Sequence, residues 1–136
     1  MRLTSRAVTV AALALTLTAP ALGGAQASAR HWKTLSTIEG GKIQACKVAT
    51  TKTGPWKIKL RVDASRATSR VSGAAYVMKG DATKDHWKSG WVAKGHVSKL
   101  GTVRLPRGSA YSLNAGIGAG QMGNGGTFVA RQIRGC

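Results

Sequence analysis

Eight residues near the middle of the chain alternate strictly between large apolar and charged side chains. In the segment 56–63, the apolar residues stand at even positions and the charged residues at odd positions. A β-strand presents successive side chains to opposite faces, whereas a helix would spread both classes around its surface. The alternation therefore predicts a strand with one face on a hydrophobic core. Its other face, carrying Lys57, Lys59 and Arg61, is expected in solvent.

Short segments of similar character recur through the rest of the chain and are separated by turn residues. We expect about seven strands, over residues 42–50, 56–63, 70–80, 86–93, 97–105, 110–117 and 127–133. No long segment has the 3.6-residue period of a helix. This pattern predicts an all-β fold, a small antiparallel β-sandwich that is immunoglobulin-like only in a loose sense. A small β-barrel is the alternative.

The first 27 residues contain the three parts of a secretory signal peptide. A basic start is followed by an apolar run to about residue 23, and Ala25-Gln26-Ala27 supplies the small residues of a cleavage site. We predict a signal helix that is removed after Ala27. The protein is then expected to be secreted, extracellular or associated with the cell wall, with no stable membrane span after processing.

Residues 28–41 would form an N-terminal leader that precedes the domain at 42–136. The leader contains a weak alternation at 35–38 and ends with two glycines. It could be a flexible tail or a strand at the edge of a sheet. Its terminal position favours the flexible tail.

The chain contains two cysteines, Cys46 and the final residue, Cys136. Two cysteines in an exported protein usually pair with each other, so we predict a Cys46–Cys136 disulfide. Two distant thiols without further ligands nearby do not indicate a metal site, and no cofactor is expected. A bond across 90 residues would hold the first strand of the domain beside the end of the chain.

The strongly basic composition predicts an anionic partner. After cleavage, 19 of the 21 Lys and Arg residues remain against four acidic residues, which gives a formal charge of +15. Such a charge attracts polyanions without regard to their sequence, and wall polymers, acidic polysaccharides and nucleic acids are the candidates. The residues proposed to bind them are Lys57, Lys59, Arg61, Lys88 and Lys94. The alternative is that the charge serves only solubility.

Two tryptophans, Trp87 and Trp91, flank Lys88 and could form an aromatic surface. Aromatic faces beside cations can stack sugars or bases while the cations hold phosphate or carboxylate groups. The alternative is structural, because tryptophans in a small domain usually pack in the core. In that case Trp91 would fill the core and Trp87 would cap an edge with Lys88 folded over it.

The glycine-rich segment 116–126 is expected to be a loop. It contains a G-x-G-x-x-G match at 118–123, but a dinucleotide site requires that motif between a strand and a helix of a βαβ unit. Here a further strand is predicted after it, so the motif does not indicate a cofactor.

No catalytic motif is present, and we do not expect an enzyme. The alternative is a small secreted hydrolase acting on nucleic acid, with His86, His96 and Glu39 as general acid and base candidates. Nothing in their spacing supports such a site. A secreted protein-interaction module is a third possibility, although the glycine-rich segment does not have the composition of a rigid binding loop.

Overall fold

The computed structural model describes residues 31–136. The predicted signal helix, its cleavage site and the start of the leader lie outside the described residues. Within residues 31–136, none of the helices has the length and apolar character that crossing a membrane would need.

The described chain is all β, with eight strands and one short 3-10 helix. In chain order, the elements are β1 (Lys33–Ile38), β2 (Gly41–Ala49), β3 (Trp56–Asp63), β4 (Val71–Lys79), β5 (Ala82–Val92), β6 (Gly101–Leu105), β7 (Tyr111–Ala119), β8 (Met122–Phe128) and the 3-10 helix η1 (Ala130–Gln132). They form two antiparallel sheets of four strands. Sheet I has the order β1-β2-β3-β6 and sheet II the order β5-β4-β7-β8. This confirms the predicted β-sandwich.

Strand β3 lies in the interior of sheet I and has the predicted alternation. Ile58, Leu60 and Val62 are fully buried, while the charged residues between them are exposed or half-buried. The strand pairs with β2 along its whole length and with β6 over its first five residues.

The core lies between the two sheets and is built from aliphatic side chains. Its largest fully buried members are Ile43, Ile58, Leu60, Leu105, Leu113 and Ile133. Two hydrogen bonds join the edges of the sheets. The backbone N–H of Arg104 donates to Asp85 Oδ2 at 2.7 Å, and Asn124 Nδ2 donates to the backbone oxygen of Thr37 at 3.1 Å.

The disulfide between Cys46 and Cys136 is present and closes the domain. The last residues run parallel to β2. The backbone N–H of Lys47 donates to the oxygen of Arg134 at 2.8 Å, and the N–H of Cys136 donates to the oxygen of Lys47 at 2.9 Å. Cys46 is fully buried. The end of the chain thus lies beside the first strand of the predicted domain, as the pairing requires.

Part of the predicted leader is a strand instead of a flexible tail. Residues 33–38 form β1, which pairs with β2 through a two-residue turn at Glu39 and Gly40. Both turn residues have positive φ, 46° and 80°, as a tight hairpin of this kind requires. The weak alternation at 35–38 was therefore the better guide to this segment.

The glycine-rich segment 116–126 is also not a loop, and the strand predicted at 127–133 is displaced. The last strand, β8, begins at Met122 and ends at Phe128, and Ala130–Gln132 form η1 instead of a strand. The strand in excess of the predicted seven is β1. Segment 116–126 forms most of a hairpin in which β7 and β8 pair around Gly120, whose φ is 59°. Glycine lacks a side chain but keeps both backbone hydrogen-bonding groups, so a partner strand can hold it in a sheet.

Two other boundaries differ from the prediction. The turn expected at 81–85 is short, and β5 already begins at Ala82. The strand expected at 97–105 forms only over its last five residues, as β6, while Val97 makes an isolated bridge to Asp63.

Candidate functional site

The outer face of sheet I carries a group of positive side chains that we call the cationic face. Its members are Lys57, Lys59 and Arg61 on β3 and Arg104 on β6. Arg104 lies directly opposite Lys57, and Thr102 lies opposite Lys59. Like charges directly opposite each other destabilise a sheet. The fold thus carries an electrostatic cost at this place.

Neutral partners orient two of the three cations on β3. Arg61 Nε donates to Gln44 Oε1 at 2.9 Å, and the guanidinium carbon lies 4.4 Å from the centre of the Trp32 ring. Lys59 Nζ donates to Thr102 Oγ1 at 3.0 Å. Because none of these partners is negative, the contacts fix the positions of the two cations without neutralising their charge.

The acidic residues of the chain are engaged mainly by hydroxyl and backbone donors. Asp63 Oδ1 accepts bonds from the Ser65 hydroxyl at 2.6 Å and from its N–H at 3.0 Å. Glu39 accepts from the Ser69 hydroxyl, and Asp85 accepts from the N–H groups of its neighbour and of Arg104. Three of the four carboxylates are therefore satisfied by such donors.

Asp63, at the end of β3, is the acidic residue in line with the cationic face. The hydrogen bond from the Ser65 hydroxyl is the main cause that lowers the pKa of the Asp63 carboxyl. The Ser65 N–H, Arg61 and Lys42 lower this pKa further, whereas burial of the carboxyl raises it. The carboxylate is thus negative at neutral pH and offsets part of the positive potential at one end of the strand.

The charges on β3 are close enough to act together on a polymer. Side chains on one face of a strand repeat about every 7 Å, within the Debye length of about 8 Å at physiological ionic strength. Two like charges at that separation repel by about 0.6 kcal/mol in water. A polyanion lying along the strand would relieve this repulsion and gain attraction to each cation.

The five predicted polyanion-binding residues do not form one site. Lys88 lies on β5 in sheet II, opposite Ala74. Lys94 is exposed in the loop after β5, where the N–H of the adjacent Gly95 donates to the oxygen of Ala64. The outer faces of a sandwich point in opposite directions. Lys88 therefore lies across the molecule from the β3 cations.

Trp87 and Trp91 point to opposite faces of sheet II. Trp87 lies opposite Ala75 and packs against the core, whereas Trp91 lies opposite Ser72 and is 52% exposed. Residues four apart on a regular strand would share a face, but a β-bulge adds one residue between Lys88 and Trp91. The two tryptophans thus form no common aromatic surface. The structural alternative, with Trp91 in the core, is also wrong.

Sequence reasoning missed a groove of about 730 Å³ on the outer face of sheet II. Three rows of side chains cross this face from β5 to β8. The rows are Trp91–Ser72–Gly118–Gly123, Lys88–Ala74–Gly116–Gly125 and His86–Tyr76–Asn114–Thr127. Apart from Trp91 and Lys88 on β5, the first two rows contain only glycine, alanine and serine and form the floor of the groove. The third row consists of larger side chains. The regular spacing of glycines at 116, 118, 123 and 125 was the available signal.

The residues considered for hydrolysis lie on three different elements. His86 is on β5, His96 is in the following loop, and Glu39 is in the β1–β2 turn. No hydrogen bond within residues 31–136 joins any two of them. In the same range, no three His, Cys, Asp or Glu side chains are grouped so as to hold a metal ion.

Comparisons with family models, curated proteins and solved structures gave no match to this chain. The fold and the cationic face by themselves define a small, disulfide-closed β-sandwich domain with a basic surface.

Proposed function

We propose that this protein is a secreted, non-catalytic domain that binds anionic polymers through the cationic face of sheet I. The observation that supports the proposal is the row of Lys57, Lys59 and Arg61 on β3, an interior strand of sheet I, with Arg104 opposite Lys57 on the neighbouring strand. The disulfide is consistent with an extracellular location.

The binding is expected to be electrostatic and blind to the sequence of the polymer. The cations repeat along one strand at a fixed spacing, and their neighbours are neutral hydrogen-bonding groups. Such an arrangement can follow a line of phosphate, sulfate or carboxylate groups, but it has no means to discriminate between their carriers. Teichoic acid, acidic polysaccharide and nucleic acid are all candidate ligands.

Contacts that the cations make before binding also lower the entropy cost of binding. Long cationic side chains normally lose rotamer freedom when they contact a ligand. Here the Arg61 guanidinium is already stacked on Trp32, and Lys59 is already bonded to Thr102. Two of the three β3 cations are therefore organised before the ligand arrives.

Retention on immobilised heparin tests the proposal. The variant K57Q/K59Q/R61Q should elute at clearly lower salt than the control K52Q/K79Q/K84Q, which removes the same charge from three exposed lysines that are not members of the cationic face. If the salt concentration at elution falls equally for both variants, binding depends on net charge alone. That result would contradict a role for this particular face.

A further inference from the structure

The groove on sheet II has the features of a second binding site, and it does not depend on the cationic face. We propose that it binds an acidic oligosaccharide, with one sugar ring stacked on Trp91 and an acidic group held by Lys88.

The floor of the groove contains a glycine that the fold itself does not require. Among the residues that the structure describes, a Cβ atom at Gly123 would have only the oxygen of Ile117 within 4 Å, at 3.9 Å, which is an ordinary contact, and Gly123 is not among the positive-φ residues. By contrast, a Cβ at Gly125 would lie 2.8 Å from the oxygen of Ala115. Glycine inside a strand weakens it and often marks a place where a ligand approaches the backbone.

The wall of the groove presents an exposed and oriented indole. Trp91 lines the groove, and the guanidinium carbon of Arg70 lies 4.8 Å from the centre of its ring. An indole held in place by a cation offers a flat apolar surface at low entropy cost. The C–H face of a pyranose ring is complementary to such a surface.

Polar groups around the floor suit sugar hydroxyls. Ser72, Asn114 and Thr127 line the groove, and the Thr127 hydroxyl donates to Asn114 Oδ1 at 2.9 Å. Short hydroxyl and amide side chains can both donate and accept hydrogen bonds, as sugar hydroxyls do. A ligand site commonly combines an apolar surface with a few such groups.

The charge of the groove selects an acidic sugar over a neutral one. Lys88 is part of the lining, Arg70 is adjacent through Trp91, and no carboxylate lines the groove. A single-stranded nucleic acid fits less well, because successive bases need successive aromatic platforms. Here the ring of Tyr76 is instead stacked with His86, with centroids 6.3 Å apart.

Titration with hexagalacturonate at 0.15 M NaCl, followed by tryptophan fluorescence and calorimetry, tests the site. W91A should weaken binding at least about tenfold, the size of effect typical of lost stacking on an aromatic ring. G123V, which fills the floor, should have a similar effect. L100A, which trims an exposed apolar residue outside the groove lining, should bind as the unmodified protein does.

Two further arms separate this proposal from its competitors. The fully methyl-esterified hexasaccharide should bind more weakly than the acid, and K88Q should weaken binding of the acid but not of the ester. The triple variant K57Q/K59Q/R61Q should retain the Trp91-dependent component, so the groove and the cationic face can fail separately.

Three results would overturn the proposal. One is that the unmodified protein does not bind hexagalacturonate, or that W91A and G123V both bind it as tightly as the unmodified protein does, with folding of each variant verified by circular dichroism. Another is a Trp91-dependent preference for a thymidine hexanucleotide, which would indicate a nucleic-acid site. The third is sedimentation showing a dimer that W91A dissociates, which would assign the groove to a second copy of this chain.

Discussion

The indole of Trp87 lies directly against the backbone of Gly101, so that a Cβ atom at residue 101 would overlap the indole ring. Trp87 belongs to β5 at the edge of sheet II, and Gly101 begins β6 at the edge of sheet I. The contact therefore packs an aromatic ring between the two edge strands. The ring leaves no room for a side chain at residue 101.

This contact predicts a large effect of a single methyl group. G101A should lower the free energy of unfolding by about 1–3 kcal/mol, the usual cost of inserting a methyl group into a well-packed place. Thermal or urea unfolding measures it. The control G135A adds its methyl group where no atom of residues 31–136 lies within 4 Å apart from its chain neighbours, and it should be close to neutral. Equal stability of the two variants would show that Trp87 can move away without cost.

Loss of the disulfide should have the largest effect on stability. The bond closes a loop of 90 residues, and the chain-entropy estimate for such a loop is about 4–5 kcal/mol. The variant C46A/C136A is expected to unfold at a markedly lower temperature, and reduction of the unmodified protein should reproduce the shift. An unchanged midpoint would mean that the backbone bonds of Lys47 to the end of the chain are sufficient without the sulfurs.

The pKa of the Asp63 carboxyl should change when the Ser65 hydroxyl is removed. The bond from Ser65 is the main cause of its lowered pKa, so S65A is expected to raise the pKa of Asp63 towards the ordinary value of 3.8. Carboxyl carbon chemical shifts followed by NMR during a pH titration report this directly. S69A, which removes the hydroxyl partner of Glu39, should leave the pKa of Asp63 unchanged.

The sign of the linked stability follows from the direction of the shift. A carboxyl whose pKa is lower in the folded protein stabilises it at pH values above the unfolded pKa, and this contribution is lost as the pH falls through the folded value. The unmodified protein should therefore gain stability relative to S65A as the pH rises through the region around 3.8. A difference in the free energy of unfolding between the unmodified protein and S65A that stays the same from pH 2 to 6 would contradict the assignment.

Trp32 offers a test of the cationic face without a change of charge. Its ring stacks with Arg61 at 4.4 Å, and an exposed contact of this kind contributes about 0.5–1 kcal/mol. W32A should weaken heparin binding by a factor of about two to five, because Arg61 loses part of its orientation. Binding of W32A that equals that of the unmodified protein would show that orientation of Arg61 is unimportant.

The parts of the fold that the sequence could predict are those with a strict local pattern. The alternation at 56–63 predicted β3 and its buried face, because a period of two has one structural interpretation. The two cysteines predicted their own pairing, since the chain contains no other candidate. Both inferences rest on residues whose environment is decided by one dominant physical effect.

The remaining features depend on partners distant in sequence. Segment 116–126 has the composition of a loop and is held as strands by its pairing across the hairpin. The bulge at Ser89 and Gly90 places the Trp91 side chain on the opposite face of the sheet from Trp87, and no periodic pattern in the sequence indicates this bulge. The split of Lys88 from the β3 cations follows from sheet topology, which local patterns do not encode. For these reasons, the sequence could suggest candidate residues but not which of them lie close together.

The salt dependence of heparin binding tests the central claim most directly. The slope of log K against log salt concentration reflects the number of charge contacts with a polyanion. K57Q/K59Q/R61Q should reduce that slope by about two to three relative to the unmodified protein, whereas K52Q/K79Q/K84Q should leave it nearly unchanged. Identical slopes for the two triple variants would contradict the account, because binding would then not involve the cationic face on β3.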